Sequence, residues 1–183
     1  MKMTDEIRIE ASREQVFAAL NDPEILRKAI PGCQELDQTS ETELTATVQA
    51  KVGPVKATFR GAVTLSDINP PESYIISGEG KGGAAGFAKG KAKVSLAEDG
   101  AATILSYEVD AEVGGKLAQV GGRLIEGTSK KLAGDFFETF SGLVGSTKVT
   151  VEEPTATPTT SEPMLLWIEA AIVVMILIMS FAA

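Results

Sequence analysis

Along most of the chain up to Val113, apolar and polar residues alternate, and that alternation predicts strands. Residues 5–10 alternate around Ile7 and Ile9. Ser12 with Gln15 then forms a capping box, which opens a short helix over 13–20 with Val16, Phe17 and Leu20 on one face. Asn21-Asp22-Pro23 restarts the chain as a second short helix, with Pro23 at the first helical position, where its missing N–H would be unpaired anyway. This helix carries Ile25, Leu26 and Ile30 and stops at Pro31-Gly32.

A run of strands follows. Residues 43–52 set Leu44, Ala46, Val48, Ala50 and Val52 against polar neighbours. Gly53-Pro54 turns the chain, and 55–65 repeat the pattern with Val55, Ala57, Phe59, Gly61, Val63 and Leu65. After a turn at Asn69-Pro70-Pro71, residues 73–81 and 86–97 predict two more strands. Glu98-Asp99-Gly100 closes a hairpin into 103–113, where Thr103, Leu105, Tyr107, Val109, Ala111 and Val113 share a face.

The period changes after Gly114-Gly115. From Lys116 to about Val144 the apolar residues Leu117, Val120, Leu124, Leu132, Phe136, Phe140 and Leu143 fall at helical spacing. One long amphipathic helix is expected, although Gly121, Gly122, Gly127 and Gly134 each lower its propensity by ~1 kcal/mol against Ala. An antiparallel sheet with one solvated face needs its other face covered, and only this helix is long enough to do so. The expected fold class is therefore α+β: a curved antiparallel sheet around a long C-terminal helix, the helix-grip arrangement, plus a C-terminal hydrophobic membrane helix.

That last element is a different pattern. Residues 164–183, MLLWIEAAIVVMILIMSFAA, carry one charge, Glu169. As a helix rising ~1.5 Å per residue they reach about 30 Å, the thickness of a bilayer's hydrocarbon core. Leu165, Trp167, Ile172, Val174, Ile176, Ile178 and Phe181 are the expected anchor. Trp167 sits where an indole favours the headgroup level, and Glu169 lies near enough to the interface to reach it. A helix lying flat on the surface needs a polar face, which 171–179 lacks. The segment is expected to span the bilayer or insert into it. Residues 148–163 are rich in Pro and Thr and read as a linker. The expected organisation is a domain over 1–147, a linker over 148–163 and a membrane tail over 164–183. No Lys or Arg flanks the tail, so flanking charge does not orient it.

Composition narrows the function. A net charge of −8 argues against nucleic acid as a partner and against docking on anionic lipid by overall charge. With one cysteine, Cys33, no intrachain disulfide forms, and the opening MKMTDEIRIE lacks the apolar run of a secretory signal. Both favour the cytoplasm, so the expected location is the cytoplasmic face of the cell membrane, tail-anchored. There is no histidine, which removes the commonest general base and metal ligand. Cys33, alone beside a Pro-Gly turn, reads as inert. Tyr107 and Glu108 point to opposite faces of a strand. No catalytic or metal-binding constellation is visible, and the chain is not expected to be an enzyme. The glycine-rich stretch 78–93 lacks the order of a phosphate loop and lies between strands. It reads as a hairpin whose Lys81, Lys89, Lys91 and Lys93 protect a solvated edge strand.

The inward faces are small: Ala46, Ala50, Ala57, Gly61, Gly78, Gly80, Gly90, Ala92 and Ala111. Only 5% of residues are aromatic, so little bulk is at hand to bring a sheet and a helix to native packing density. Either the helix lies very close to the sheet or a space is left, and an apolar space with a mouth is a ligand site. The expected lining is Leu26, Ile30, Phe59, Ile76, Tyr107, Val109, Leu117, Val120 and Leu124.

Three stretches carry a family resemblance: IEASREQVFAALNDPEILRKAIPGCQEL, KVGPVKATFRG and GGKLAQVGGRLIEGTSKKLAGDFFETF. With the residues around them they extend over essentially the whole domain. The chain resembles the G-subunit family of carbon monoxide dehydrogenase, within the polyketide-cyclase/START-like (SRPBCC) superfamily. The resemblance implies a hydrophobic cavity between sheet and long helix. It implies an accessory role at the membrane for a molybdenum-containing carbon monoxide dehydrogenase or a related oxidoreductase. The ligand it implies is long and apolar, such as the isoprenoid tail of menaquinone or ubiquinone, carried without covalent attachment. Tyr107, if inward, would donate a hydrogen bond to a quinone carbonyl. The expected partners are the lipid bilayer, a quinone or other apolar lipid, and the oxidoreductase complex. Two alternatives stand beside this: a ligand-free recruitment adaptor, and a small cyclase or hydrolase.

Overall fold

The alternating segments form one seven-stranded antiparallel sheet in the computed structural model, which describes residues 2–145. The chain runs β1 (Lys2–Ile9), α1 (Arg13–Ala19), α2 (Pro23–Ala29), β2 (Cys33–Ser40), β3 (Glu43–Val52), β4 (Val55–Asn69), β5 (Ser73–Lys81), β6 (Phe87–Asp99), β7 (Ala102–Gly114) and α3 (Gly122–Gly145). Short 3-10 turns lie at Gly83–Ala85 and Ala118–Val120. The strand order is β1-β7-β6-β5-β4-β3-β2. Six strands thus follow one another as hairpins, and β1 pairs with the last of them. The expected linker and membrane tail lie outside the described residues. Among the described residues, no helix is long and apolar enough to cross a membrane.

Local chemistry sets the helix starts as expected. The Ser12 hydroxyl accepts from the Gln15 N–H at 3.3 Å, and the Gln15 side chain accepts from the Ser12 N–H at 3.1 Å. Two otherwise orphaned donors are satisfied reciprocally. Asp22 caps α2 by accepting from the N–H groups of Glu24 and Ile25, with Pro23 at the first position.

One face of the sheet is buried beneath α3, which inserts Ile125, Ser129, Ala133, Phe136, Phe137, Phe140 and Val144. Phe137 stacks on Tyr107 at 5.8 Å between ring centroids. Phe136 meets both Phe137 and Phe140. The helices α1 and α2 also pack on α3. The buried core of the described residues runs from Met3 to Val144. The buried polar groups Thr103 and Ser129 donate to the carbonyls of Ala11 and Ile125, at 2.7 and 2.9 Å.

Three expectations are corrected. First, β2 is a strand where none was expected, because it forms one sheet edge and buries only Leu36. Second, the helix expected from Lys116 begins at Gly122, after a separate 3-10 turn. Gly121, at φ 98°, breaks the helical path between them, a backbone region that glycine enters without steric cost. The break rotates the helix so that Ile125 faces inward and Leu124, expected inside, is 44% exposed. Third, the lysines of β5 and β6 do not guard an edge. Both strands are internal, and the edges are β1 and β2. Lys89 pairs instead with Glu112 on β7 at 3.3 Å, and Lys81 with Glu79 at 3.3 Å.

Candidate functional site

The register of the sheet orders the inward side chains into rows, and the rows differ in bulk. One row places Tyr74, Val94 and Tyr107 side by side across β5, β6 and β7. The next holds Leu65, Ile76, Ala92, Val109 and Met3. One rung further, ~7 Å along the strands, the row reads Leu44, Val63, Gly78, Gly90 and Ala111. The row after it reads Ala46, Gly61, Gly80, Ala88 and Val113. Across β5 to β7 the interior therefore passes from bulky to small, while on β3 and β4 the following row brings back Val48 and the fully buried Phe59. The helix is graded the same way, with Phe136, Phe137 and Phe140 in its second half and Ile125, Ser129 and Ala133 before them.

Where the small rows meet the start of α3, a groove of about 880 Å³ opens. Its sheet side is Gly78, Gly90, Ala111 and Val113, and its helix side is Ala118, Gly122 and Ile125. Ser77, Glu79, Lys89, Asp110 and Glu112, which alternate with the small residues along the strands, complete the lining. At both Gly78 and Gly90 the neighbouring strands leave no room for a Cβ, and the open space lies above these glycines, toward the start of α3. At Gly78 the Val63 side chain already occupies the volume a Cβ would need, which is close packing. At Gly90 a Cβ would meet the Asp110 carbonyl at 2.8 Å and the Ala111 Cβ at 3.0 Å, so no side chain can rise from that floor without moving a strand.

Of the residues expected to line a cavity, Leu26, Ile30, Phe59, Ile76, Tyr107, Val109 and Leu117 are buried in the packed core. Val120 packs against that core half-buried, and Leu124 is exposed above the β3–β4 turn. None of them borders this groove. The residues that do border it from the helix side, Ala118, Gly122 and Ile125, escape the sequence pattern. The signal for Ile125 is faint, because the inward positions one and two turns later are Ser129 and Ala133 rather than large apolar residues.

The titratable groups near the interior are tuned away from reactivity. Tyr107 is 3% exposed. Burial, with a contribution from the negative charge of its register partner Asp5, pushes its phenol up to about 12. The Tyr74 phenol is pushed higher by complete burial, and its hydroxyl has no protein partner among the described residues. Burial also raises the Cys33 thiol, which donates to the Glu35 carbonyl at 3.5 Å. A thiol held protonated is a poor nucleophile. Among the described residues no cluster of acidic or cysteine side chains has metal-ligand spacing.

Residues 6–145 match the family model of the carbon monoxide dehydrogenase G subunit (CoxG). A conserved protein from Geobacillus kaustophilus, known from its crystal structure, is 32% identical, with a TM-score of 0.75 over 79% of this chain and 95% of that one. A protein from Thermus thermophilus is 15% identical, with a TM-score of 0.57 over 81% and 99% of the two chains. The Zhui aromatase/cyclase from Streptomyces sp. R1128 is 11% identical, with a TM-score of 0.56 over 79% and 93%. At such identities the last two show a shared polyketide-cyclase-like fold. Among curated proteins, none matches the chain in sequence.

Proposed function

The chain belongs to the CoxG family, the G subunits of carbon monoxide dehydrogenase, and from that premise we propose that it is a membrane-anchored accessory protein carrying a respiratory quinone. In this reading the groove takes the isoprenoid chain of menaquinone or ubiquinone. The domain couples a molybdenum carbon monoxide dehydrogenase-type oxidoreductase to the membrane, so that electrons pass to the quinone. The residues 164–183 hold the domain at the cytoplasmic face of the bilayer. The observation that carries the reading is the graded interior, which ends in the groove floored by Gly78, Gly90 and Ala111.

The physical need is simple. Each CH₂ of a prenyl chain exposed to water costs ~0.8 kcal/mol, so the chain leaves lipid only into another apolar surface. The groove offers such a chain Ala111, Val113, Ala118 and Ile125 as apolar wall. The chain supplies no chemistry of its own here. It has no histidine, and Cys33 and both tyrosines are held protonated. The protein acts as a sleeve and a docking unit, not an enzyme.

The test is direct. The full chain is purified from quinone-containing cells, extracted with organic solvent and analysed by mass spectrometry. Near-stoichiometric quinone is expected. The Ala118→Trp variant, with an indole on the groove wall, is expected to lose loading while its circular dichroism stays unchanged. Val120→Trp, off the wall, is expected to keep it. A clean extract combined with no uptake of added quinone refutes the carrier and leaves the ligand-free adaptor.

A further inference from the structure

Three segments converge at one end of the sheet: the β3–β4 turn, the β5–β6 turn and the connection from β7 to α3. A Cβ at Gly53 would lie 2.6 Å from the Leu124 side chain and 3.7 Å from that of Val120. The Leu117 N–H donates to the Ala85 carbonyl at 3.0 Å, and Gly86 packs on Gly114 and Gly115. Over residues 50–60, 80–97 and 113–125 there is not one Asp or Glu, in a chain that carries 25. Lys51, Lys56, Lys81, Lys116 and Arg123 gather there. Lys81 is paired with Glu79. Lys51, Lys56, Lys116 and Arg123 are exposed and make no ion pair among the described residues.

Lys51 and Lys56 stand directly opposite each other on β3 and β4. Like charges in that position repel and destabilise a hairpin, so stability does not account for them. Among them sit Leu124, the large apolar side chain most exposed in the described fold, with exposed Pro54 and half-buried Val55 and Val120. The net charge of −8 therefore hides a segregated pattern: the turns at this end are cationic with an apolar centre, and the carboxylates behind them, Glu79, Asp110 and Glu112, line the groove, with Glu79 and Glu112 paired to Lys81 and Lys89.

We infer that this end of the fold docks on the surface of an anionic phospholipid bilayer. Cations attract the headgroups, and an apolar centre enters the interfacial zone. A bilayer fits better than an acidic protein surface because the groove meets the same end, through Ala118 and Gly122. A lipid-derived ligand would then enter without crossing water. The inference goes beyond quinone binding and holds for any occupant of the groove, since it concerns the surface alone.

The test uses residues 1–147, which hold the buried core from Met3 to Val144 and whose fold the Geobacillus relative adopts over 95% of its own chain. Partition onto vesicles of phosphatidylglycerol with phosphatidylcholine is compared with partition onto pure phosphatidylcholine. Binding is expected only to the anionic vesicles, and it should weaken as salt screens the charges. Each cation neutralised should weaken binding about five-fold, so K51Q, K56Q and R123Q combined should weaken it on the order of a hundred-fold. The pair K91Q and K93Q, on the outer face of β6, should leave it unchanged. Equal binding to both vesicles, or a combined variant that binds like the parent, overturns the inference. Absence of binding overturns it too, and points to an acidic protein partner instead. Should the combined variant not fold, binding by the unaltered domain that is insensitive to salt overturns the inference equally. Quinone loading is measured separately, so its failure is not confused with failure of docking.

Discussion

Replacing Tyr74 by Phe should make the protein more stable. Tyr74 is fully buried, meets Phe17 edge to face at 6.0 Å, and has a hydroxyl with no protein partner among the described residues. A buried hydroxyl that lacks a hydrogen bond costs ~1–3 kcal/mol by comparison with water. Phe retains the ring, the edge-to-face contact and the burial. The only loss is the volume of one oxygen, a void costing about 0.3 kcal/mol at ~24 cal/mol per Å³. The net expectation is a gain of about 1–2 kcal/mol. In a domain of this size that raises the thermal midpoint by ~3–6 °C. Urea unfolding followed by circular dichroism measures it, with an unchanged slope and a higher midpoint. An unchanged or lower midpoint would refute the reasoning, because it would mean the hydroxyl has a partner in solution whose loss cancels the gain.

Two further outcomes follow from the same interior. Both tyrosines of the chain have raised phenols, so an alkaline titration read by tyrosinate absorbance should show almost no signal near pH 10 in the folded protein and a full signal after unfolding. In sign, the native state keeps the proton that the unfolded state releases. Stability from Tyr107 is therefore complete below about pH 10 and is lost as pH rises to about 12, and Tyr107→Phe should flatten that decline. Removing the reciprocal cap with Ser12→Ala should cost ~1 kcal/mol in the same urea assay, while quinone loading is unchanged, because α1 does not border the groove.

The strands with one buried face are legible because alternation is a direct image of a half-buried sheet. Residues 73–81 come out with the expected bounds for that reason. β2 is not legible, since an edge strand that buries only Leu36 has no second face to contrast with. The long helix is legible in its Phe136–Phe140 half. Its start is not, because Leu117, Val120 and Leu124 keep helical spacing across a left-handed glycine that spacing alone does not reveal. The lysines of β6 are solvated as their pattern implies, but which strands are edges depends on pairing in space, and β1 closes the sheet on β7 from far away in sequence. The site shows the same limit. Apolar bulk is what a pattern makes visible, and Leu26, Phe59, Ile76 and Val109 accordingly belong to the packed core. A groove is where bulk is missing. Its floor is present in the sequence as the inward Gly78, Gly90 and Ala111, which look like an absence until the register aligns them.

The grading of the interior also divides the domain by how readily it opens. Backbone amides of β5 to β7 beside Tyr74, Val94 and Tyr107 are clamped by aromatic packing. Those a few residues further along, at Gly78, Gly90 and Ala111, are held by the ladder with little mass above it. Local opening costs least where few apolar contacts must be broken. Hydrogen exchange along β5, β6 and β7 should therefore be slow at one end and fast at the other, with breathing confined to the glycine end while the aromatic end keeps the molecule folded.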